Sequence, residues 1–147
     1  MRALVYRSQQ KHRFSQRELN ELVAHAAAKN QRLGVTGYLC YRQGLFLQYL
    51  EGPAEALEDL MHVISQDPRH EVEMTVWIDE ALDDRRFPDW SMRNLTLEGQ
   101  DIELEDVILQ SLRLFDPRLE ITGDRNRSRE LLTHQLSMLC RRVGQVA

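Results

Sequence analysis

The sequence predicts an α/β (α+β) fold: a ferredoxin-like βαββαββ sandwich on a five-stranded mixed sheet, with two more helices toward the C-terminal end. Three observations predict it. Short β-rich runs alternate with two amphipathic helical stripes. Two of those runs flank a Gln-Gly pair, a hairpin signal. The last third of the chain carries only helical periodicity.

Each element has its own signal. Residues 2–7, RALVYR, form the first strand. Ser15, with Glu18 three residues later, makes a capping box for a helix that runs to about Asn30. Leu19, Leu22, Val23, Ala26 and Asn30 share one face of it, and Gly34 stops it. Residues 35–42, VTGYLCYR, and 45–50, LFLQYL, are the hairpin arms on either side of Gln43-Gly44. Gly52-Pro53 ends the second arm and opens another helix, because proline suits the first helical turn. Leu57, Leu60, Met61 and Ile64 are its apolar stripe, and Asp67-Pro68 ends it. Residues 72–79 read as the fourth strand and Trp90 to about Leu97 as the fifth. Right-handed crossovers then put both helices on one sheet face and make the first and third strands central neighbours.

Residues 103–115 place Leu104, Val107, Ile108, Leu112 and Phe115 on one stripe. Residues 127–143 do the same with Leu132, Leu136, Leu139 and Val143, after the loop DPRLEITGD. Two such helices need an apolar surface to cover, and the sheet face opposite the first two helices is the expected one. With no linker, repeat or low-complexity segment, the chain reads as a domain over residues 1–98 and a helical cap over 99–147.

Bulk properties narrow the function. The 147 residues suit a single core, and 42% hydrophobic with 29% charged residues is ordinary for a globular protein. A net charge of −4 speaks against non-specific nucleic-acid binding. MRALVYRSQQKH is not a signal peptide, and no apolar run approaches the roughly 20 residues that span a bilayer. Cys40 and Cys140 form neither a disulfide framework nor a metal pattern, and the histidines show no zinc-type pairing. A cytoplasmic protein is expected.

Function is sought where the pattern breaks. Alternation along the third strand puts Phe46, Gln48 and Leu50 on one face, so Gln48 is a buried amide in an apolar row. Such an amide finds partners or costs roughly 1–3 kcal/mol. Tyr6 on the neighbouring first strand lies across from it, and Asn30 ends the inward face of the first helix. Convergence of these polar groups suits a planar ligand with several carbonyl and imide groups. Each also has a structural explanation alone: a packed tyrosine, a helix-end asparagine, a glutamine bonded to backbone. Topology leaves both readings open.

Five segments carry a resemblance: LVYRS (4–8), KNQRLGVTGYLCY (29–41), FLQYLEG (46–52), DPRH (67–70) and RRFPDWSM (85–92). In order and spacing they resemble the BLUF family, blue-light sensors that use flavin adenine dinucleotide (FAD), over about residues 2–95. The resemblance implies that Tyr6 donates an electron and a proton to the excited flavin, and that Gln48 lies between Tyr6 and flavin N5 and O4. It implies that Asn30 holds the C4 carbonyl and N3 edge. Trp90 and Met92 match the fifth-strand pair that competes for the space near Gln48, while Phe46 and Ile64 wall the ring. The amide suits its place because it has a donor end and an acceptor end, so rotation or tautomerisation changes a hydrogen bond to O4 and shifts absorption to the red.

There are departures from the family's pattern. Lys29 stands where relatives often carry His or Asn near the C2 carbonyl, and Val63 where several carry a flavin-facing arginine; His62 points elsewhere. FMN or riboflavin suits the same ring-centred recognition. Elsewhere, Trp77 and His25 are expected to be structural, Arg85 and Arg86 to form a solvated loop, and Cys40 to act as a small hydrophobe. The resemblance thus implies a short photoreceptor, not an enzyme, that signals to an unidentified protein through the fifth strand and C-terminal helices and assembles as a homo-oligomer. Two rivals use the same fold: an enzyme of the acylphosphatase or small-monooxygenase type, and a flavin-free interaction module. The first needs an anion cradle, a nucleophile–base pair or a metal cluster, and none is visible. The colour of the purified protein separates all three.

Overall fold

The computed structural model describes residues 1–96, 101–118 and 125–145. The chain divides into two compact units, Met1–Thr96 and Leu97–Ala147. In the first, β1 (Arg2–Gln10), α1 (Gln16–Leu33), β2 (Thr36–Arg42), β3 (Leu45–Gly52), α2 (Ala54–Ser65), β4 (His70–Asp79) and β5 (Arg93–Asn94) follow in that order. The sheet is five-stranded with order β4-β1-β3-β2-β5. Its first four strands pair antiparallel and β5 runs parallel to β2, so the sheet is mixed as expected.

The local signals act as their chemistry requires. Ser15 caps α1: its hydroxyl accepts from the Glu18 amide at 3.1 Å, and Glu18 accepts from the Ser15 amide at 3.2 Å. Gly34 closes the helix in the left-handed region at φ 70°, as expected, and the last helical residue, Leu33, lies three residues beyond the expected end. Gln43 and Gly44 both adopt positive φ, 54° and 79°, as a tight two-residue hairpin demands. Pro53 serves as the N-cap of α2 rather than as a residue of its first turn.

Two strands depart from expectation by three residues or more at an end. β1 runs three residues further than residues 2–7, because it stays paired on both sides, Gln9 with Leu45 and Gln10 with His70. β5 is only two residues long, against an expected strand from Trp90 to Leu97. Its ladder with β2 consists of Tyr38 with Arg93 and Leu39 with Asn94. Trp90 and Met92 precede the strand, and Leu97 lies outside the described residues.

β1 and β3 are buried on both faces, which is why neither shows a clean polar alternation. One face carries Leu4, Tyr6, Leu39, Phe46 and Leu50 in a common core with Leu19 and Val23 of α1 and Leu57 and Leu60 of α2. The other carries Val5, Tyr38, Cys40, Leu47 and Tyr49, all fully enclosed. Tyr38 and Tyr49 stack at 5.3 Å, and Phe87 meets both edge-on at 5.4 Å. Trp77 is partly buried against the core, with the Arg2 guanidinium 3.7 Å above its ring.

The second unit contains α3 (Ile102–Leu114) and α4 (Arg125–Gln145). Asp101 caps α3 by accepting from the Leu104 amide at 2.9 Å. The expected stripes are buried: Leu104, Ile108, Leu112 and Phe115 from the first segment, Leu132, Leu136, Leu139 and Val143 from the second. Gln135 reaches Ser111 at 3.2 Å, and Arg142 pairs with Glu103. Most of the connecting segment, residues 119–124, lies outside the described residues.

The hairpin sets a strict spatial limit at Gly37. A Cβ there would lie 1.9 Å from the Tyr49 carbonyl oxygen, a backbone atom of the neighbouring strand. Gly37→Ala is therefore expected to lower the unfolding free energy by about 3 kcal/mol, as overpacking against an atom that cannot swing aside. Urea denaturation followed by circular dichroism checks it.

Candidate flavin site

β1 and β3 place Tyr6 directly opposite Gln48 in the antiparallel register. The Tyr6 hydroxyl donates to Gln48 Oε1. Gln48 Nε2 donates to Met92 Sδ at 3.4 Å, so the amide is held at both ends. The thioether is a weak acceptor, which makes this the softer of the two bonds. Asn30, at the inner end of α1, donates through Nδ2 to the Ser91 carbonyl at 3.1 Å. Tyr6, Asn30 and Gln48 are each at most 5% exposed.

These groups line a cavity of about 780 Å³ between α1, α2 and the sheet. That lies within the range of about 300–1,000 Å³ typical of small-molecule and cofactor sites. Leu39, Phe46, Leu60 and Ile64 supply apolar walls, and Leu22 and Ala26 of α1 complete them. Lys29 lines the cavity as well and is half-buried, while Val63 is 50% exposed. Six of the sequence-predicted site residues thus meet here: Tyr6, Lys29, Asn30, Phe46, Gln48 and Ile64. Met92 joins them through Gln48.

Trp90 does not meet them. Its ring stacks on Phe87 at 4.7 Å, with the Arg93 guanidinium 5.2 Å from its centroid. Phe87 belongs to the Tyr38–Tyr49 cluster, on the sheet face away from Gln48. In this arrangement Met92, not Trp90, holds the place beside the amide.

The cavity suits an isoalloxazine. A flat ring system with one apolar end needs apolar walls, and its pyrimidine edge needs amides that both donate and accept. Gln48 uses one hydrogen-bonding site at each end on Tyr6 and Met92, and each end carries a second. Asn30 spends one N–H on Ser91 and keeps its carbonyl oxygen and second N–H.

Several contributors escaped sequence reasoning. Asp67, Arg69 and His70 line the cavity, although DPRH was legible only as a matching segment without roles. Arg69 grips Asp67 with Nη2 at 2.6 Å. This hydrogen bond holds the Asp67 carboxyl down at about 2. His70 sits beneath, its Nε2 3.0 Å from the Ile64 carbonyl and its ring 6.2 Å from Phe46. His25 lines the cavity too and is exposed.

Arg85 and Arg86 require a correction, since they are not simply a solvated loop. Arg85 donates to the Gly34 carbonyl at 2.6 Å and to Thr36 Oγ1 at 3.1 Å. Arg86 donates through Nη1 to the Tyr49 hydroxyl at 2.9 Å, and its amide donates to Glu51 at 2.9 Å. Glu51 is the organising residue that sequence reading missed. It is fully buried, and no local pattern marks a carboxylate at the end of a strand as buried.

A cleft for a planar ligand, walled by a hydrogen-bonded tyrosine–glutamine pair on a ferredoxin-like sheet, defines a flavin-binding light-sensor class of domain. The family model "BLUF: Sensors of blue-light using FAD" matches residues 1–93, and the chain belongs to that family. It is 36% identical over 115 residues to photoactivated adenylate cyclase subunit beta of Euglena longa, covering 76% of this chain and 13% of that protein. The chain thus spans a small part of that relative's length. Among solved structures, the dark state of BlrB, a BLUF protein, matches with TM-score 0.63 and 31% identity, over 92% of this chain and 96% of that one. A bacterial light-regulated adenylyl cyclase matches with TM-score 0.66 and 32% identity, over 76% of this chain and 34% of that one. Among the described residues, no helix is long and apolar enough to cross a membrane.

Burial first, and the nearby Asp67 charge second, push the Tyr6 phenol well above its usual value of about 10. A raised value in the folded state means that Tyr6 favours folding fully below pH of about 10 and loses that contribution as pH climbs past it. The natural protein is therefore expected to lose stability above pH of about 10 more steeply than Tyr6→Phe. Urea unfolding of both proteins across pH 8 to 12 (roughly the phenol range) measures the difference.

Proposed function

We propose that this chain is a blue-light photoreceptor that binds FAD non-covalently between α1 and α2, and that Tyr6 and Gln48 are its photoactive pair. The observation that carries the reading is the continuous chain of hydrogen bonds from Tyr6 through Gln48, both of which line the cavity, to Met92 behind the amide. When bound, an oxidised flavin absorbs blue light and becomes a strong oxidant.

The protein's own residues do the rest. Tyr6 is a buried phenol that keeps its proton in the dark, so its electron and its proton pass together to the excited flavin. Gln48 Oε1 accepts that hydroxyl in the dark, so loss of the phenolic proton removes the bond that fixes the amide. The amide is then released to turn or tautomerise, and its partner at the other end is the weak acceptor Met92 Sδ. Asn30 keeps the ring edge in register, while Phe46, Leu60 and Ile64 exclude water. Lys29 supplies a positive charge toward the C2 side, where Val63 supplies none. Recognition centred on the ring admits FMN or riboflavin in place of FAD.

The change leaves the site through Met92 and β5, which lead in sequence to α3 and α4. In this reading residues 1–98 are the sensor and residues 99–147 a helical cap that carries the signal to a partner protein. The chain itself is a sensor in the cytoplasm, working as a homo-oligomer and catalysing no reaction of its own. The enzyme activity in the names of its relatives suggests the kind of partner it regulates.

Tyr6→Phe tests the pair. The variant is expected to purify yellow yet lose the reversible red shift under blue light, by at least about tenfold in yield, the worth of roughly 1.4 kcal/mol. Full photoconversion of Tyr6→Phe overturns the role of Tyr6. A colourless natural protein that takes up no added flavin overturns the photoreceptor reading itself.

A further inference from the structure

Glu51 is a buried carboxylate that the photochemical reading does not use. It lies on β3 three residues after Gln48, so the two side chains take opposite faces of the sheet. Its oxygens accept four hydrogen bonds. Oε1 takes Thr36 Oγ1 at 2.9 Å and the Phe87 amide at 2.8 Å. Oε2 takes the Tyr49 hydroxyl at 2.7 Å and the Arg86 amide at 2.9 Å. Two of these donors are consecutive backbone amides of the segment that follows β4. The carboxylate therefore fixes a stretch of main chain, not merely a side chain.

The same segment reaches the flavin site at Met92, five residues after Phe87. Phe87, pinned by Glu51, packs on Tyr38 and Tyr49, and Trp90 stacks on Phe87 at 4.7 Å. The Trp90 carbonyl accepts from the Gly37 amide at 2.8 Å. The Ser91 carbonyl accepts from Asn30 at 3.1 Å, and Met92 Sδ accepts from Gln48 at 3.4 Å. Glu51 at one end and the two cavity amides at the other hold one short run of chain between them. That run touches Gln48 through the weakest of these bonds, so the Met92 end follows the run, which the charge-assisted bonds at the Glu51 end hold together with the Gly37–Trp90 and Asn30–Ser91 bonds.

We propose that Glu51 is a positioning residue for the photocycle: it anchors the Arg85–Met92 segment so that Met92 stays against Gln48 in the dark, and it pulls the segment back after light. This rests on the photoreceptor reading above. With the anchor weakened, the dark arrangement loses its advantage and the lit state lives longer. Glu51→Gln weakens it with little change of shape. A carboxylate offers acceptors on both oxygens, whereas an amide offers them on one and donors on the other. One of the two backbone amides of Arg86 and Phe87 then faces a donor.

The test uses the full chain with methionine methyl groups labelled with carbon-13, measured both without flavin and after FAD loading. In flavin-free Glu51→Gln the Met92 methyl resonance, assigned through Met92→Leu, is expected to move while that of Met138, on α4 and 39% exposed, stays in place. In the loaded protein the dark spectrum is expected to persist, and recovery after blue light to slow by about tenfold, as loss of one charge-assisted hydrogen bond implies. Arg86→Lys, which removes the guanidinium clip to Tyr49 but leaves both amides on Glu51, is expected to recover at nearly the natural rate. If the natural protein photoconverts and Glu51→Gln leaves both the Met92 resonance and the recovery rate unchanged, the proposal is overturned. If Glu51→Gln fails to fold, Thr36→Val, which removes one donor to the carboxylate, carries the same two readouts with a smaller expected slowing. If the natural protein shows no red shift, the photoreceptor reading fails, while the Met92 resonance still decides whether Glu51 sets that position.

Discussion

The whole site depends on how one buried amide is satisfied. Gln48 sits in the middle of a two-sided apolar sheet, where an unpaired amide costs about 1–3 kcal/mol at each unsatisfied group. It has two protein partners of very different strength, a phenol and a thioether. In the proposed photocycle the phenol is the partner that light chemistry removes. The thioether is the partner that holds least. A buried amide between two such groups is fixed in the dark and easily re-sorted when the phenol changes. On the proposed reading that imbalance is what makes a satisfied core glutamine a switch.

The fold supplies the precision this requires. Antiparallel pairing of β1 with β3 sets Tyr6 against Gln48 by register alone, and a one-residue slip would send them to opposite faces. The hairpin turn at Gln43-Gly44 and the tight approach at Gly37 lock β2 and β3 in that register. α1 and α2 then roof the face, leaving a cavity rather than a filled core between Leu22, Ala26 and Ile64. On the other face, Glu51 and the Tyr38–Tyr49–Phe87 cluster hold the segment that returns to Met92. Both faces of one strand thus act on the same few atoms.

Much of this was legible in the sequence. Helix stripes, the capping box at Ser15 and the Gln-Gly hairpin are local patterns, and each formed where its chemistry placed it. The Tyr6–Gln48 pairing followed from topology, and its purpose from resemblance. What stayed hidden is non-local. β5 is short because only Arg93 and Asn94 form a regular ladder with β2, which no run of β-formers reveals. Arg85 and Arg86 read as solvated because their partners, Gly34, Thr36, Tyr49 and Glu51, lie far away in sequence. Trp90 and Met92 are two residues apart in one motif, yet they face different sides of the sheet, one on Phe87 and one on Gln48.

The most direct test of the account is the light-minus-dark absorption spectrum of the flavin-loaded Gln48→Leu variant. Leucine keeps the shape of the site and removes both ends of the amide. The account predicts that flavin stays bound, that light still excites it, and that no lasting red-shifted state forms. A red-shifted state of natural size and lifetime in Gln48→Leu would contradict it, because the switch would then lie outside this amide.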